Sequence, residues 1–183
     1  MAVRAGWLTG VRQVPSRNFG ARPAGTELSL IVIHCIALPP ETFGTPYVDD
    51  LFISCLDPAA HPYFAPLSGQ ELSTHLFIRR DGQVTQYVSF LDRAWHAGRS
   101  VYRGQAECND YSIGIELEGS VSCAFTAGQY RALQDVIAEL QRAYPAIGGR
   151  IAGHSEIAPG RKDDPGPHFE WRRIHRDPPD AGA

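Results

Sequence analysis

The segment 153–166 combines the side-chain types that metal-dependent hydrolysis requires. His154 offers an imidazole, Lys162 a fixed positive charge, and Asp163 and Asp164 two adjacent carboxylates. Proline and glycine residues interrupt the segment, so we expect an irregular surface loop, where functional residues are often placed. One histidine and one carboxylate supply two ligands, whereas a catalytic zinc ion needs three protein ligands and an open position. The remaining ligand must come from elsewhere in the chain.

A further imidazole follows a strongly apolar segment. Residues 28–34 are mostly aliphatic, which predicts a strand buried on both faces, and the segment ends at His34. His154 likewise follows a short predicted strand. Taken alone, each histidine would be an ordinary loop or capping residue, but two imidazoles and a carboxylate together form a common zinc ligand set. The spacing leaves open whether Asp163 or Asp164 is the carboxylate.

Amide hydrolysis also needs a base for the attacking water and a cation or donor for the oxyanion. Residues 112–119 alternate between apolar and polar side chains, which predicts a strand with Glu116 and Glu118 on one face. Gly114 leaves that face open, so Glu116 is a candidate base; the alternative is a solvated face without a catalytic role. Lys162 is the candidate cation, and the alternative is a surface lysine paired with a neighbouring aspartate.

Two further motifs have both a functional and a structural interpretation. Trp95 and His96 belong to a long segment without clear periodicity, residues 91–111, and such segments in compact domains are usually functional or disordered. The pair is either a stacking platform for a sugar ring or a core tryptophan with a polar neighbour. Cys35 follows His34 directly, but adjacent strand residues point to opposite faces, which argues against a thiol nucleophile paired with this histidine.

Two elements have clear local signals. Residues 76–88 predict a β-hairpin around the two-residue turn Asp81-Gly82. A capping box that begins at Thr126 predicts the start of a long amphipathic helix, which Pro145 ends.

Three other segments have weaker local signals. Residues 1–28 are expected to form an irregular arm. A helix is predicted to begin at Thr45-Pro46 and to end at Asp57, with Cys55 on its apolar face. Apolar side chains within residues 169–174 are expected to pack a last short helix.

Composition limits the possible partners and compartments. The 183 residues suffice for one domain with a sizeable core, and 18 glycines and 14 prolines indicate many loops. A net charge of −3 without a cluster of Lys or Arg argues against nucleic acid or membrane as the main partner. No apolar segment reaches the roughly 18 residues of a membrane span, and no export signal is visible. We expect a cytoplasmic monomer whose cysteines, which show no metal or disulfide spacing, are free: Cys35, Cys55, Cys108 and Cys123.

Several motifs in order resemble a known family. They are Ile33-His34, the Trp95–Gly98 tetrapeptide, Cys108–Gly119 and the 153–166 loop. Together these motifs resemble those of the AmpD family. Its members are cytoplasmic 1,6-anhydro-N-acetylmuramoyl-L-alanine amidases of bacterial peptidoglycan recycling. The resemblance extends from about residue 7 to residue 174.

The resemblance implies a fold, a cofactor and a set of roles. The fold would be a single α/β (α+β) domain, with a mixed central β-sheet flanked by helices as in zinc amidases and peptidoglycan-recognition proteins. We expect it to span residues 1–176, with a disordered tail at 177–183. The substrate would be an anhydro-muramoyl peptide, cut between the lactyl carbonyl and L-alanine. The implied residues are His34, His154 and Asp164 for one zinc ion, Glu116 to activate water, Lys162 to stabilise the transition state, and Trp95, His96 and Asn109 to bind substrate.

The chain departs from the family pattern at three positions. Cys35, Glu71 and Gly160 stand where relatives often have Asn, Arg and Glu. None is an implied ligand, so the expected hydrolysis is unaffected, but Glu71 would repel a carboxylate that an arginine would hold. Two other functions remain as alternatives. A non-catalytic peptidoglycan-binding module would lose a zinc ligand, and a secreted or phage wall-lytic amidase would carry an export signal or wall-binding repeats.

Overall fold

The computed structural model describes residues 1–174, so the tail expected at 177–183 lies outside the described residues. Strands are numbered in chain order. They are β1 (Val3–Arg4), β2 (Trp7–Leu8), β3 (Arg12–Gln13), β4 (Phe19–Ala21), β5 (Leu30–Ile36), β6 (Leu76–Ile78), β7 (Val84–Gln86), β8 (Asp92–Ala94), β9 (Val101–Tyr102), β10 (Gln105–Ala106), β11 (Ser112–Glu118) and β12 (Ile151–Gly153).

A mixed six-stranded sheet forms the centre of the fold, in the order β12-β5-β11-β6-β7-β3. The first four strands are mutually parallel, β6 and β7 are antiparallel, and β3 joins β7 in parallel. Three two-stranded ribbons, β1-β2, β4-β8 and β9-β10, lie outside this sheet. The mixed central sheet predicted from the sequence is confirmed.

Helices cover the sheet and complete the architecture. They are α1 (Tyr47–Phe52), α2 (Cys108–Tyr111), α3 (Ala127–Ala143) and α4 (His154–Ile157), with 3-10 turns at Pro62–Leu67, Pro145–Ile147 and Trp171–Arg173. No helix within residues 1–174 is long and apolar enough to cross a membrane.

The two faces of the central strands serve different purposes. Ile33 and Ile115 belong to the main core, together with Leu133 and Leu140 of α3. Because side chains alternate along a strand, the residues between them face the other way. There, Val32 of β5 packs in a second cluster with residues of the 97–111 segment and α4. This second face is the one that carries His34 and Glu116.

The two clear local predictions are confirmed, with one correction. Thr126 and Gln129 cap α3 reciprocally, as the sequence indicated. The hairpin between β6 and β7 forms, but its turn is one residue longer than predicted. Arg79 pairs with Gln83 across the turn, and Gly82 adopts a φ of 90°. A left-handed residue after a tight turn adds a bulge, which the Asp-Gly dipeptide alone did not reveal.

The predictions for four segments need correction. α1 ends at Phe52, because Ser54 has a φ of 59°, and Cys55 is exposed rather than on an apolar face. The segment 1–28 contains four short strands, and the segment 91–111 contains three strands and a helix. The last element is a single 3-10 turn. All four cysteines are free, as expected.

Candidate metal centre and catalytic cavity

Strand register brings three predicted site residues together. In β11, Glu116 pairs with His34 of β5, and in β12 Gly153 pairs with Ile33. His154 follows Gly153 directly and therefore stands beside His34. The three side chains lie at the carboxyl ends of adjacent parallel strands, where open α/β sheets place their sites.

The candidate ligand atoms converge on one point. His34 Nδ1 lies 2.9 Å from His154 Nδ1 and 3.1 Å from Asp164 Oδ2, and His154 Nδ1 lies 3.2 Å from the same oxygen. Tetrahedral zinc with ligand bonds near 2.0–2.1 Å would separate its ligand atoms by about 3.3–3.4 Å. The set therefore fits a metal ion with shifts of a few tenths of an ångström.

Hydrogen bonds on the far side of each ring leave the Nδ1 atoms available. His154 Nε2 lies 3.1 Å from the carbonyl oxygen of Ala97, which can only accept, so Nε2 carries the proton. His34 Nε2 faces His96 Nδ1 at 2.9 Å. Burial lowers the pKa of His34 to about 4, so this imidazole is neutral. With the His34 proton on Nε2 as well, the two Nδ1 lone pairs and the Asp164 carboxylate face one position, which suits a cation.

The structure distinguishes between Asp163 and Asp164 as the carboxylate ligand, which the spacing left open. Asp164 belongs to the group of potential ligands, whereas the Asp163 side chain is exposed and lines the cavity. A hydrogen bond of 2.9 Å from Ser155 N to the Asp164 backbone carbonyl ties the loop to the start of α4. His34, His154 and Asp164 thus form a metal-binding triad.

Glu116 is buried beside the triad, with 8% of its surface exposed. Its Oε2 atom has no hydrogen-bond partner among residues 1–174. Burial, and then the charge of Asp164, raise the pKa of Glu116 well above 4.5, while Lys162 opposes the shift. A buried carboxylate with a raised pKa and a free oxygen is suited to proton transfer.

The other glutamate of the same strand face has a structural place. Glu118 is 2% exposed, and its carboxylate accepts hydrogen bonds from the backbone amides of Gly44 and Arg80. The solvated face considered as an alternative is therefore absent for both glutamates. Glu118 fixes two loops, whereas Glu116 lines the cavity.

A cavity of about 490 Å³ opens next to the triad. Lys162, exposed, and Trp95, half-buried, both line it. Cys35 also lines it, but burial raises the pKa of its thiol, so the thiol remains protonated and unsuited to nucleophilic attack. The cavity lining does not include Glu71 or Gly160.

Two residues expected to bind substrate have other contacts. His96 lines the cavity, but its ring lies between His34 and Ser112, with Ser112 Oγ 3.3 Å from Nε2. Asn109 is buried and is absent from the cavity lining. Its carboxamide oxygen accepts hydrogen bonds from the amides of His96 and Ala97. Sequence reasoning missed the role of the Ala97 carbonyl, because no side-chain signal marks a backbone acceptor.

The fold and the triad define a class of protein. Two histidines, an aspartate and a buried glutamate that meet at one cavity, at the edge of a mixed sheet, are characteristic of a metal-dependent hydrolase site. A family model described as N-acetylmuramoyl-L-alanine amidase matches residues 24–167, and the chain belongs to this family.

Individual relatives agree with the family match. The 1,6-anhydro-N-acetylmuramyl-L-alanine amidase AmpD of Citrobacter freundii is 51% identical, over 95% of this chain and 93% of the relative. A crystal structure of a selenomethionine AmpD derivative has 50% identity and a TM-score of 0.93, covering 95% of this chain and 97% of that one. The predicted resemblance to the AmpD family is confirmed.

A more distant relative has been solved with a ligand. It is AmiD of E. coli, in complex with the substrate anhydro-N-acetylmuramic acid-L-Ala-D-γ-Glu-L-Lys. The identity is 27% and the TM-score 0.59, over 83% of this chain and 58% of that chain.

Proposed function

We propose that this protein hydrolyses the amide bond between the lactyl group of 1,6-anhydro-N-acetylmuramic acid and the L-alanine of a stem peptide, in peptidoglycan recycling. The observation that carries the proposal is the convergence of His34, His154 and Asp164 beside the buried Glu116, in a chain about half identical to AmpD. We infer that the amidase domain spans residues 1–176 and acts as a cytoplasmic monomer.

The metal is proposed to be one zinc ion held by the triad. Neutral imidazoles and a carboxylate are ligands that zinc prefers, and the separations of 2.9–3.2 Å support a tetrahedral arrangement. When bound, zinc lowers the pKa of water towards about 7 and polarises a carbonyl group.

Glu116 is proposed to be the general base. Its unpartnered Oε2 is available to take the proton of the attacking water, and the resulting carboxylic acid can return that proton to the departing alanine nitrogen. Its burial keeps bulk water from competing for this oxygen. The raised pKa of Glu116 makes the carboxylate a stronger base than an exposed glutamate would be.

Lys162 is proposed to stabilise the oxyanion of the tetrahedral intermediate. Its ammonium group is close enough to lower the pKa values of both Glu116 and His34 through its charge. A cation near both the base and a ligand is suited to stabilise the negative charge that develops on a carbonyl bound between them.

The lining of the cavity supports an orientation for the substrate. Leu38 and Phe52, with Leu72 packed against them, form one hydrophobic cluster that reaches the cavity. Trp95, whose backbone is hydrogen-bonded to Ser73, and Lys162 also line the cavity. A large aromatic side chain in a partly apolar lining suits the face of a sugar ring. We therefore infer that the muramoyl ring binds against Trp95 and that the peptide extends past Lys162.

Product analysis tests this function. Purified protein incubated with anhydro-muramoyl tripeptide should release free tripeptide and anhydro-muramic acid. Treatment with a strong chelator should abolish the release, and addition of zinc should restore it. Intact substrate after prolonged incubation with the zinc-loaded protein would contradict the proposal.

A further inference from the structure

We propose that residues 96–97, named the ligand clamp, select the tautomer and orientation of both zinc-binding histidines. The inference rests on the zinc site of the proposed function and assigns a positioning role to His96. The clamp contacts each ligand ring at the nitrogen opposite the metal. His96 Nδ1 lies 2.9 Å from His34 Nε2, and the Ala97 carbonyl oxygen lies 3.1 Å from His154 Nε2.

The contact to His154 has a fixed polarity. A carbonyl oxygen only accepts, so the proton resides on His154 Nε2 and the Nδ1 lone pair faces the metal position. Arg161 strengthens this arrangement, since its guanidinium donates to the same Ala97 oxygen at 2.6 Å and to the Arg99 carbonyl at 2.7 Å. The charged donor therefore holds the acceptor in place.

In the contact between His34 and His96, metal binding determines which nitrogen donates the hydrogen bond. His34 Nδ1 must be unprotonated to bind a metal, so the neutral ring carries its proton on Nε2 and donates it to His96 Nδ1. His96 then carries its own proton on Nε2, which lies 3.3 Å from the buried Ser112 Oγ. Ser112 Oγ, His96 and His34 thus form one directed chain of hydrogen bonds.

Buried neighbours hold the clamp itself. The side-chain oxygen of Asn109 accepts from His96 N at 3.1 Å and from Ala97 N at 2.8 Å. Gly114 makes room for the imidazole, because a Cβ atom there would lie 2.5 Å from His96 Cγ. Two adjacent residues anchored by one carboxamide can orient both ligands together, which gives the Trp95–Gly98 motif a role apart from substrate stacking.

Two substitutions of His96 separate a hydrogen-bonding role from a packing role. His96→Phe keeps an aromatic ring but removes the acceptor, whereas the side-chain oxygen of His96→Asn can occupy the place of Nδ1. Zinc affinity is measured by competition with a chelator. Loss of such a contact typically costs about 10–100-fold in metal affinity, so we expect that loss in the Phe variant and recovery to within about threefold of wild type in the Asn variant.

The zinc affinity of the wild-type protein distinguishes failure of the proposed function from failure of the ligand clamp. Failure of the wild type to bind zinc would overturn the proposed function. Tight zinc binding by the wild type and equally tight binding by His96→Phe would overturn the clamp alone. Equal weakening of both variants would also overturn it, since restoring the acceptor would then have no effect.

Nuclear magnetic resonance of the zinc-loaded wild type gives a test that needs no variant. We expect the shared proton to show its one-bond coupling to His34 Nε2, and the two nitrogens, His34 Nε2 and His96 Nδ1, to be coupled across the hydrogen bond. A proton on His96 Nδ1 instead would contradict the proposed direction. This measurement decides the question if His96→Phe does not fold.

Discussion

Glu116 and His34 occupy paired positions on neighbouring parallel strands, β11 and β5. The proposed base and one proposed metal ligand are therefore held by backbone hydrogen bonds of the central sheet rather than by a flexible loop. Both side chains are almost fully buried on the face opposite α3. Sites built on sheet strands hold their geometry more tightly than sites on loops, which suits proton transfer over a short distance.

Glu116→Gln should separate catalysis from metal binding. The amide keeps the size of the side chain but cannot accept the proton, so kcat/KM should fall by about 10²–10⁴-fold. Zinc content should remain at one equivalent, because Glu116 is not among the triad. Both quantities can be measured on the same preparation, and near-normal turnover would eliminate Glu116 as the base.

The adjacent aspartates provide a matched pair of variants. Asp164→Asn should lose both zinc and activity, since the remaining two ligands hold the ion poorly. Asp163→Asn should retain the metal and most activity, because its exposed side chain is outside the triad. Elemental analysis of both proteins gives the answer; metal loss in the Asp163 variant alone would reverse the assignment.

The pH dependence of kcat/KM should reflect the environment of Glu116. Burial raises its pKa well above 4.5, and the base acts in its deprotonated form. Activity is therefore expected to fall as the pH decreases through this raised value. Lys162 lowers the same pKa, so Lys162→Met should move the acid inflection to higher pH as well as slowing turnover. An acid inflection that stayed in place or moved to lower pH in Lys162→Met would argue against this base.

Trp95→Ala tests the proposed place of the sugar ring. Loss of a stacking partner should weaken kcat/KM by about two- to thirteenfold, since contacts of an aromatic ring are worth about 0.5–1.5 kcal/mol beyond burial. Zinc content should not change, because the clamp begins at the next residue. Unchanged kcat/KM on anhydro-muramoyl peptide would make Trp95 a packing residue only.

Local patterns in the sequence predicted much of the framework. The apolar segment ending at His34, the alternation around Glu116 and the capping box at Thr126 correspond to elements whose signals are confined to a few neighbouring residues. The predicted end of α1 was wrong. The apolar spacing continues to Cys55, but Ser54 adopts a left-handed backbone conformation that stops the helix.

The remaining features depend on contacts between distant segments. Spacing could not separate Asp163 from Asp164, because only the folded loop determines which carboxylate turns towards His34. The sequence did not predict the ligand clamp either. Its contacts join residues 34, 96, 97, 109 and 154, and one of them is made by the backbone carbonyl of residue 97, a group that every residue possesses.

Turnover measured against added zinc tests the central claim most directly. Metal-free protein is titrated with zinc while release of tripeptide from anhydro-muramoyl tripeptide is followed, with Asp164→Asn as the control. The account predicts that activity rises in proportion to zinc, reaches its plateau at one equivalent per chain, and stays absent in the control. Full activity in the metal-free protein, or a titration that the Asp164→Asn variant reproduces, would contradict a zinc centre formed by His34, His154 and Asp164.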